Sequence, residues 1–295
     1  MRLRRTTLAA TLAAAALALS ACGGGDEAPE VEVDTEAADT FEEGTPMAEF
    51  AEEGSITVGT KFDQPGFGLE NLEGELEGFD VEVAKIIAGA MGIAPEDIEW
   101  FETPSAIREE AIEGGDVDMV VATYTINEER AERITFAGPY YNAGQMLMVA
   151  SDNDTITGPD DIAENPDATV CTVTGSTPSE NIREYLASED QLVLFEEYSQ
   201  CADALGNGQV DIVTTDNVIL AGFVGESDDA YKLVGEQFTE EPYGIGIEKG
   251  AVEFCNFINE TLAANEEAYL AAWDATAGQI EGTQAPELPE PDECV

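Results

Sequence analysis

Three basic residues stand out against an acidic background. Of 295 residues, 63 are Asp or Glu and only 11 are Lys or Arg, a formal net charge of −52. Where most cation positions have been given up, those retained are expected to have a specific partner. Lys61, Arg108 and Arg130 each follow a predicted strand, so together they point to a small anion with more than one carboxylate. Thr123, Tyr124 and Thr125 put two hydroxyls at a strand end, with Arg130 just inside the next helix. A guanidinium fork holds a carboxylate through two parallel charge-assisted bonds, and nearby hydroxyls and N–H groups complete the oxygen shell. A salt bridge from Arg130 to a neighbouring Glu is the competing reading; Arg133, one turn on, is expected in that structural role. Gly175-Ser176-Thr177 opens a predicted helix, where free N–H groups suit a carboxylate, and a plain N-cap there is compatible with that use. The chain has no His and no CxxC pair, so neither a metal site nor a cofactor is expected.

The elements that must position these groups begin late. Met1 to Arg5 is basic and Leu8 to Leu19 is an apolar run short for a membrane span, which reads as an export signal over residues 1–21. Leu19-Ser20-Ala21-Cys22 resembles a bacterial lipobox, which would leave Cys22 as a lipidated N-terminus. Cleavage there leaves four Lys, four Arg and no His, making nucleic acid or an anionic membrane surface an unexpected partner. The excess of acid reads as a solvated surface adapted to high salt, where screening removes self-repulsion. Residues 22–53, dense in Glu, Asp, Ala and Thr, read as an acidic disordered tether.

From Gly54 onward, short β-rich runs alternate with helical stretches. Runs at 56–59, 98–101 and 119–122 alternate with helices at 81–91, 106–113 and 128–134, predicting α/β order with a largely parallel sheet. The order restarts after Gly144 with strands at 146–149, 169–173, 193–195 and 212–215 and helices at 180–186, 200–207 and 218–224. A strand at 243–247 and helices at 252–263 and 266–275 follow, and 279–295 reads as an extended C-terminal tail. Two cores are expected from a chain of this length. Of the three pairings open to the other four cysteines, Cys171 with Cys201 and Cys255 with Cys294 is expected: the first two fall in one predicted lobe, and Cys294 would tie down a loose tail.

Gly78 to Ala84 (GFDVEVA), Gly115 to Ala122 (GDVDMVVA) and Arg130 to Tyr141 (RAERITFAGPYY) give the chain a resemblance to the substrate-binding proteins of ABC importers for polar amino acids, over about residues 54–275. Within that family it is most similar to glutamate/aspartate and glutamine binders of Gram-positive bacteria. The resemblance implies an α/β, two-lobed periplasmic-binding-protein-like fold of type II. Lobe 1 would comprise 54–140 and 242–278 and lobe 2 residues 141–241, with two crossover hinge strands near Tyr141 to Gln145 and Phe238 to Pro242. Open α/β sheets place ligands at the carboxyl ends of their strands, which independently favours the same loops.

The resemblance also assigns roles. Arg130, with Thr123, Tyr124 and Thr125, would take the ligand's α-carboxylate; Asp216, closing a strand, would accept from the α-ammonium; Thr174, Gly175, Ser176 and Thr177 would contribute from the second lobe. Lys61 stands where glutamine-type relatives carry an acid, and Ser105-Ala106-Ile107-Arg108 is similar to the Ser-x-x-Arg that takes a distal carboxylate. The competing reading has Lys61 solvated and Arg108 bridging Glu109 or Glu113. Phe62 and Phe67 are expected as pocket walls or as core, and Tyr198 stands where acidic-amino-acid binders use a His. The expectation is therefore a monomeric, lipid-anchored extracytoplasmic receptor for L-glutamate or aspartate, serving an ABC permease and its ATPase by hinge closure and not acting as an enzyme. A glutamine or general polar amino-acid binder is the alternative. A dehydratase of the same fold would need a cleft Glu or Lys as general acid/base, and a sensory module is a further class.

Overall fold

The computed structural model describes residues 31–295; the segment read as an export signal and Cys22 lie outside them. The chain first forms α1 (Pro46–Glu53), β1 (Ile56–Thr60), β2 (Asp63–Gln64), β3 (Gly68–Glu70), β4 (Leu76–Glu77) and α2 (Phe79–Ala90). Next come β5 (Ile98–Glu102), α3 (Arg108–Gly114), β6 (Met119–Val120), α4 (Glu128–Arg133) and the long β7 (Thr135–Ala143). A second unit holds β8 (Gln145–Ala150), α5 (Asp160–Glu164), β9 (Val170–Val173), α6 (Thr177–Asn181), β10 (Leu192–Phe195), α7 (Tyr198–Gly206), β11 (Ile212–Asp216), α8 (Asn217–Glu226) and β12 (Tyr231–Val234). The chain then returns through β13 (Glu241–Ile247) to α9 (Val252–Ala264) and α10 (Glu266–Ala275).

Two five-stranded sheets result, ordered β5-β1-β6-β13-β7 and β10-β9-β11-β8-β12, with β2-β3-β4 as a small third sheet. The two-lobed α/β fold follows directly, since each large sheet carries its own helices. Neither sheet is largely parallel, a correction to the expectation. In each, one strand pairs in parallel with two neighbours (β1 with β5 and β6; β9 with β10 and β11), while the other two pairings are antiparallel. The reason is connectivity: β7 leaves the first sheet and β13 returns to it, so they lie side by side in opposite directions there, while β8, entering the second sheet directly after β7, runs against both β11 and β12. Gly144 alone separates β7 from β8, so the chain passes from one sheet to the other over a single residue.

Residues 31–53 form structure where a disordered tether was expected. Thr45 caps α1, accepting from the Ala48 N–H, and Pro46 occupies its first turn. Phe41 and Phe50 pack on Phe257 and Phe254 with ring centroids 5.4 and 5.5 Å apart, and Asp34 N–H bonds to the Gly89 carbonyl. These anchors are too widely spaced to give a periodic signal, yet each finds an apolar site on α9 or an acceptor at the end of α2. At the other terminus, Cys255–Cys294 pins the tail, Asp292 N–H bonds to Gly138 O, and the Val295 carbonyl accepts from Thr135. The other bridge is Cys171–Cys201, joining β9 to α7.

Candidate functional site

The first unit brings its cations together beyond the carboxyl ends of β1, β5 and β6. Asp80 in the first turn of α2 is fully buried, accepting from the Thr123 N–H at 2.7 Å and the Tyr140 hydroxyl at 2.6 Å. It holds Thr123 at φ 46°, a left-handed conformation that a β-branched residue adopts only under constraint. The Thr123 hydroxyl donates to Gln64 Oε1 at 3.0 Å. Burial pushes the Asp80 carboxyl up to about 7 against these donors.

On this frame Lys61 is 4% exposed and Arg108 2%. Lys61 Nζ donates to Ser105 Oγ at 2.9 Å; Arg108 donates to the Ala122 carbonyl at 2.9 Å and lies 4.0 Å over the Tyr124 ring, while its Nε has no acceptor. Burial first, and then the Arg108 charge, lowers Lys61 to about 7. Arg108 is lowered to about 10 by burial and then by Arg130. Among the described residues neither has a carboxylate oxygen within 4.0 Å: Glu109 pairs with Arg130 Nε at 3.2 Å and Glu113 with Arg133. A solvated Lys61 and an Arg108 bridged to Glu are therefore not what the fold contains. The competing reading for Arg130 holds in part. Besides Glu109, its Nη1 donates to Thr125 O at 2.6 Å and its Nη2 to Gly175 O at 3.0 Å, the latter across the cleft.

From the second unit comes Asp216, at the end of β11 and 3% exposed. Its Oδ2 accepts from the Tyr243 hydroxyl at 2.6 Å, and its Oδ1 has no donor. Burial, then the nearby Glu241 charge, raises the Asp216 carboxyl to about 8, with Arg108 and Arg130 pulling the other way. Tyr198, buried at the start of α7, has its phenol raised to about 12 by burial and then by the Asp216 charge. Thr177 reaches both Glu241 Oε2, at 2.6 Å, and the Thr125 hydroxyl, at 3.3 Å.

Two expected residues do not join this cluster as pocket walls or polar contacts. Phe67 is fully buried with ring centroids 6.0 to 6.3 Å from Phe79, Tyr141, Trp273 and Tyr243, so it is core. Thr174 is exposed, its N–H tied to Phe195 O. Ser176 is the N-cap of α6, accepting from Ser179 N–H and donating to Val173 O, which is the cap use of that segment. Phe62 is half-buried at the cleft mouth, lining a cavity of about 370 Å³ with Asp63, Glu70, Glu102, Glu197 and Glu226. Asp80, Tyr243 and Glu241 have no assigned role in the sequence reading, and Glu109 enters it only as a partner for Arg108, not for Arg130. Asp80 had a signal inside GFDVEVA; Tyr243, remote in sequence from its partner Asp216, had none.

Two α/β units joined by paired crossing strands, with buried cations on one side of a cleft and a buried carboxylate on the other, define a two-lobed binding protein of the periplasmic type. Among solved structures, an ancestral arginine-binding protein bound to glutamine superposes with a TM-score of 0.70 at 31% identity, covering 78% of this chain and 99% of its own. The chain belongs to the bacterial extracellular solute-binding proteins, family 3, matched over residues 56–272. It is 39% identical over 269 residues to the glutamate-binding protein GluB of Corynebacterium efficiens, covering 87% of this chain and 85% of that protein. It is 37% identical over 253 residues to the ABC transporter glutamine-binding protein GlnH of Bacillus subtilis, covering 84% and 87%.

Proposed function

We propose that the chain is an extracytoplasmic receptor that clamps an amino acid with two carboxylates, foremost L-glutamate, between its lobes and delivers it to an ABC permease. The observation that carries this reading is the burial of Lys61 and Arg108 with no carboxylate partner among the described residues. A buried cation left unpaired is costly, and a ligand's distal carboxylate would relieve both at once. The α-carboxylate goes to Arg130, exchanging with the Gly175 carbonyl at Nη2, and the α-ammonium to Asp216 Oδ1. The ligand would then bridge residues of both lobes, favouring closure through contacts made only when the lobes meet. No covalent step is required. Likeness to GluB supports the reading, and attachment at Cys22 would keep a monomeric receptor beside its permease.

L-Glutamine is the second reading, favoured by the Lys61 amine itself: with a pKa near 7 it is partly neutral at neutral pH and then suits an amide. Likeness to GlnH points the same way. Calorimetric titration with L-glutamate, L-aspartate and L-glutamine at pH 6 and 8 separates them. Glutamate tightest, more so at pH 6, with its preference lost in Lys61→Ala and Arg108→Ala, is the expected result. Glutamine binding as tightly as glutamate at both pH values would sink the two-carboxylate reading and leave the α-amino-acid clamp standing.

A further inference from the structure

The first turn of α7 carries no cap of its own: its N-cap residue is Glu197, whose side chain makes no capping hydrogen bond. Open N–H groups at a helix start need an acceptor. Here the acceptor comes from the other lobe. Asp63, in β2, takes the Tyr198 N–H at 2.7 Å and the Ser199 N–H at 3.2 Å on the same oxygen. We propose that Asp63 is a closure latch, an N-cap supplied in trans, which forms only when the lobes meet and so sets ligand affinity without touching the ligand.

Three observations converge on this role. The turn after Asp63 also receives the second lobe on its other side: Gly222 in α8 lies so near Pro65 that a Cβ there would be 2.6 Å from the Pro65 carbonyl. The segment from Asp63 to Pro65 is thus seated between α7 and α8. Second, the residue capped is Tyr198, buried beside Asp216, so the latch orders the same turn that carries a cleft residue. Third, no basic residue lines the mouth that Asp63 shares with Glu70, Glu102, Glu197 and Glu226. The helix amides therefore join the buried Lys61, whose charge Asp63 favours, in offsetting the Asp63 charge when the mouth closes; the partial positive charge of a helix start suits an anion.

As a positioning residue for the binding reaction, Asp63 rests on the reading of lobe closure, and two readouts test it with or without a known ligand. Amide hydrogen exchange at Tyr198 and Ser199 and small-angle scattering would be measured on the wild type, Asp63→Ala and Asp63→Asn, alongside titration with L-glutamate and L-glutamine. For Asp63→Ala the expectation is faster exchange at both amides, a more open scattering profile, and amino-acid affinity weakened about fivefold through the off-rate, the size of a lost cap. Asp63→Asn keeps an acceptor oxygen and should stay within about twofold of wild type. Unchanged exchange and scattering in Asp63→Ala would overturn the latch, as would an Asn variant as open as the Ala variant, since charge and not the acceptor would then be responsible. If the wild type bound neither amino acid, the proposed function would fall while exchange and scattering still decided the latch.

Discussion

Asp216 and Lys61 face opposite electrostatic problems in one cleft. The carboxyl is held up at about 8 and the amine down at about 7, each mainly by loss of water. A carboxyl whose folded pKa exceeds its ordinary 3.8 contributes its stability in full below 3.8 and loses it as pH rises through about 8. Lys61 runs the other way, contributing above 10.5 and losing that as pH falls through about 7. Asp216→Asn is therefore expected to raise the thermal midpoint of the ligand-free protein, by an amount that grows from pH 4 to pH 8. Its amino-acid affinity should meanwhile fall about a hundredfold or more, because the buried ammonium loses its counter-charge. Melts at pH 4, 6 and 8 with parallel titrations check both, and a variant that binds normally would remove Asp216 from the ligand's ammonium.

At the scale of elements, nearly every site group stands just past the carboxyl end of a strand: Lys61 after β1, Arg108 after β5, Thr123 to Thr125 after β6, Gly175 after β9, and Asp216 closing β11. That placement keeps side chains on rigid supports while leaving their tips in the cleft. The two disulfides serve different elements. Cys171–Cys201 closes a segment of 30 residues and fixes α7, which carries Tyr198; Cys255–Cys294 closes 39 and fixes the tail. Loop-closure arguments give each roughly 3–4 kcal/mol of stabilisation. Replacing either pair by Ser should lower the denaturant midpoint comparably, whereas only loss of Cys171–Cys201 should also weaken ligand binding. Equal binding defects from both pairs would show that α7 has no special part in the site.

For the whole molecule, charge is the dominant feature. With −52 formal charges, folding and lobe closure both bring carboxylates together, most directly at the mouth, where burial and then the neighbouring Glu197 push the Glu102 carboxyl up. An anionic ligand meeting a cationic pocket ordinarily binds more weakly as salt is added. Here closure adds the opposite dependence. Stability and ligand affinity are both expected to rise from dilute buffer to molar salt, as the screening length falls from about 10 Å at 0.1 M to about 3 Å at 1 M. Thermal midpoints and titrations across that range test it; a flat midpoint would remove the salt-adapted reading of the surface.

Local pattern was enough to locate most strands and helices, because alternation and caps are written in short stretches: α10 at 266–275, and β11 within one residue. The motif GFDVEVA and the isolated cations were legible for the same reason, as types and spacings near in sequence. What only tertiary structure decided was pairing across distance. The antiparallel halves of both sheets, Phe67 turning inward to an aromatic core, Glu109 going to Arg130 rather than Arg108, and Tyr243 bonding Asp216 all depend on which elements meet. So did the ordering of residues 31–53, whose few apolar anchors have no periodicity and gain their burial only from helices more than 30 residues away. Composition and spacing thus determined the chemistry available to this chain, whereas desolvation, which decides whether a charge is solvent-facing or must find a partner, is a property of the packed cleft alone.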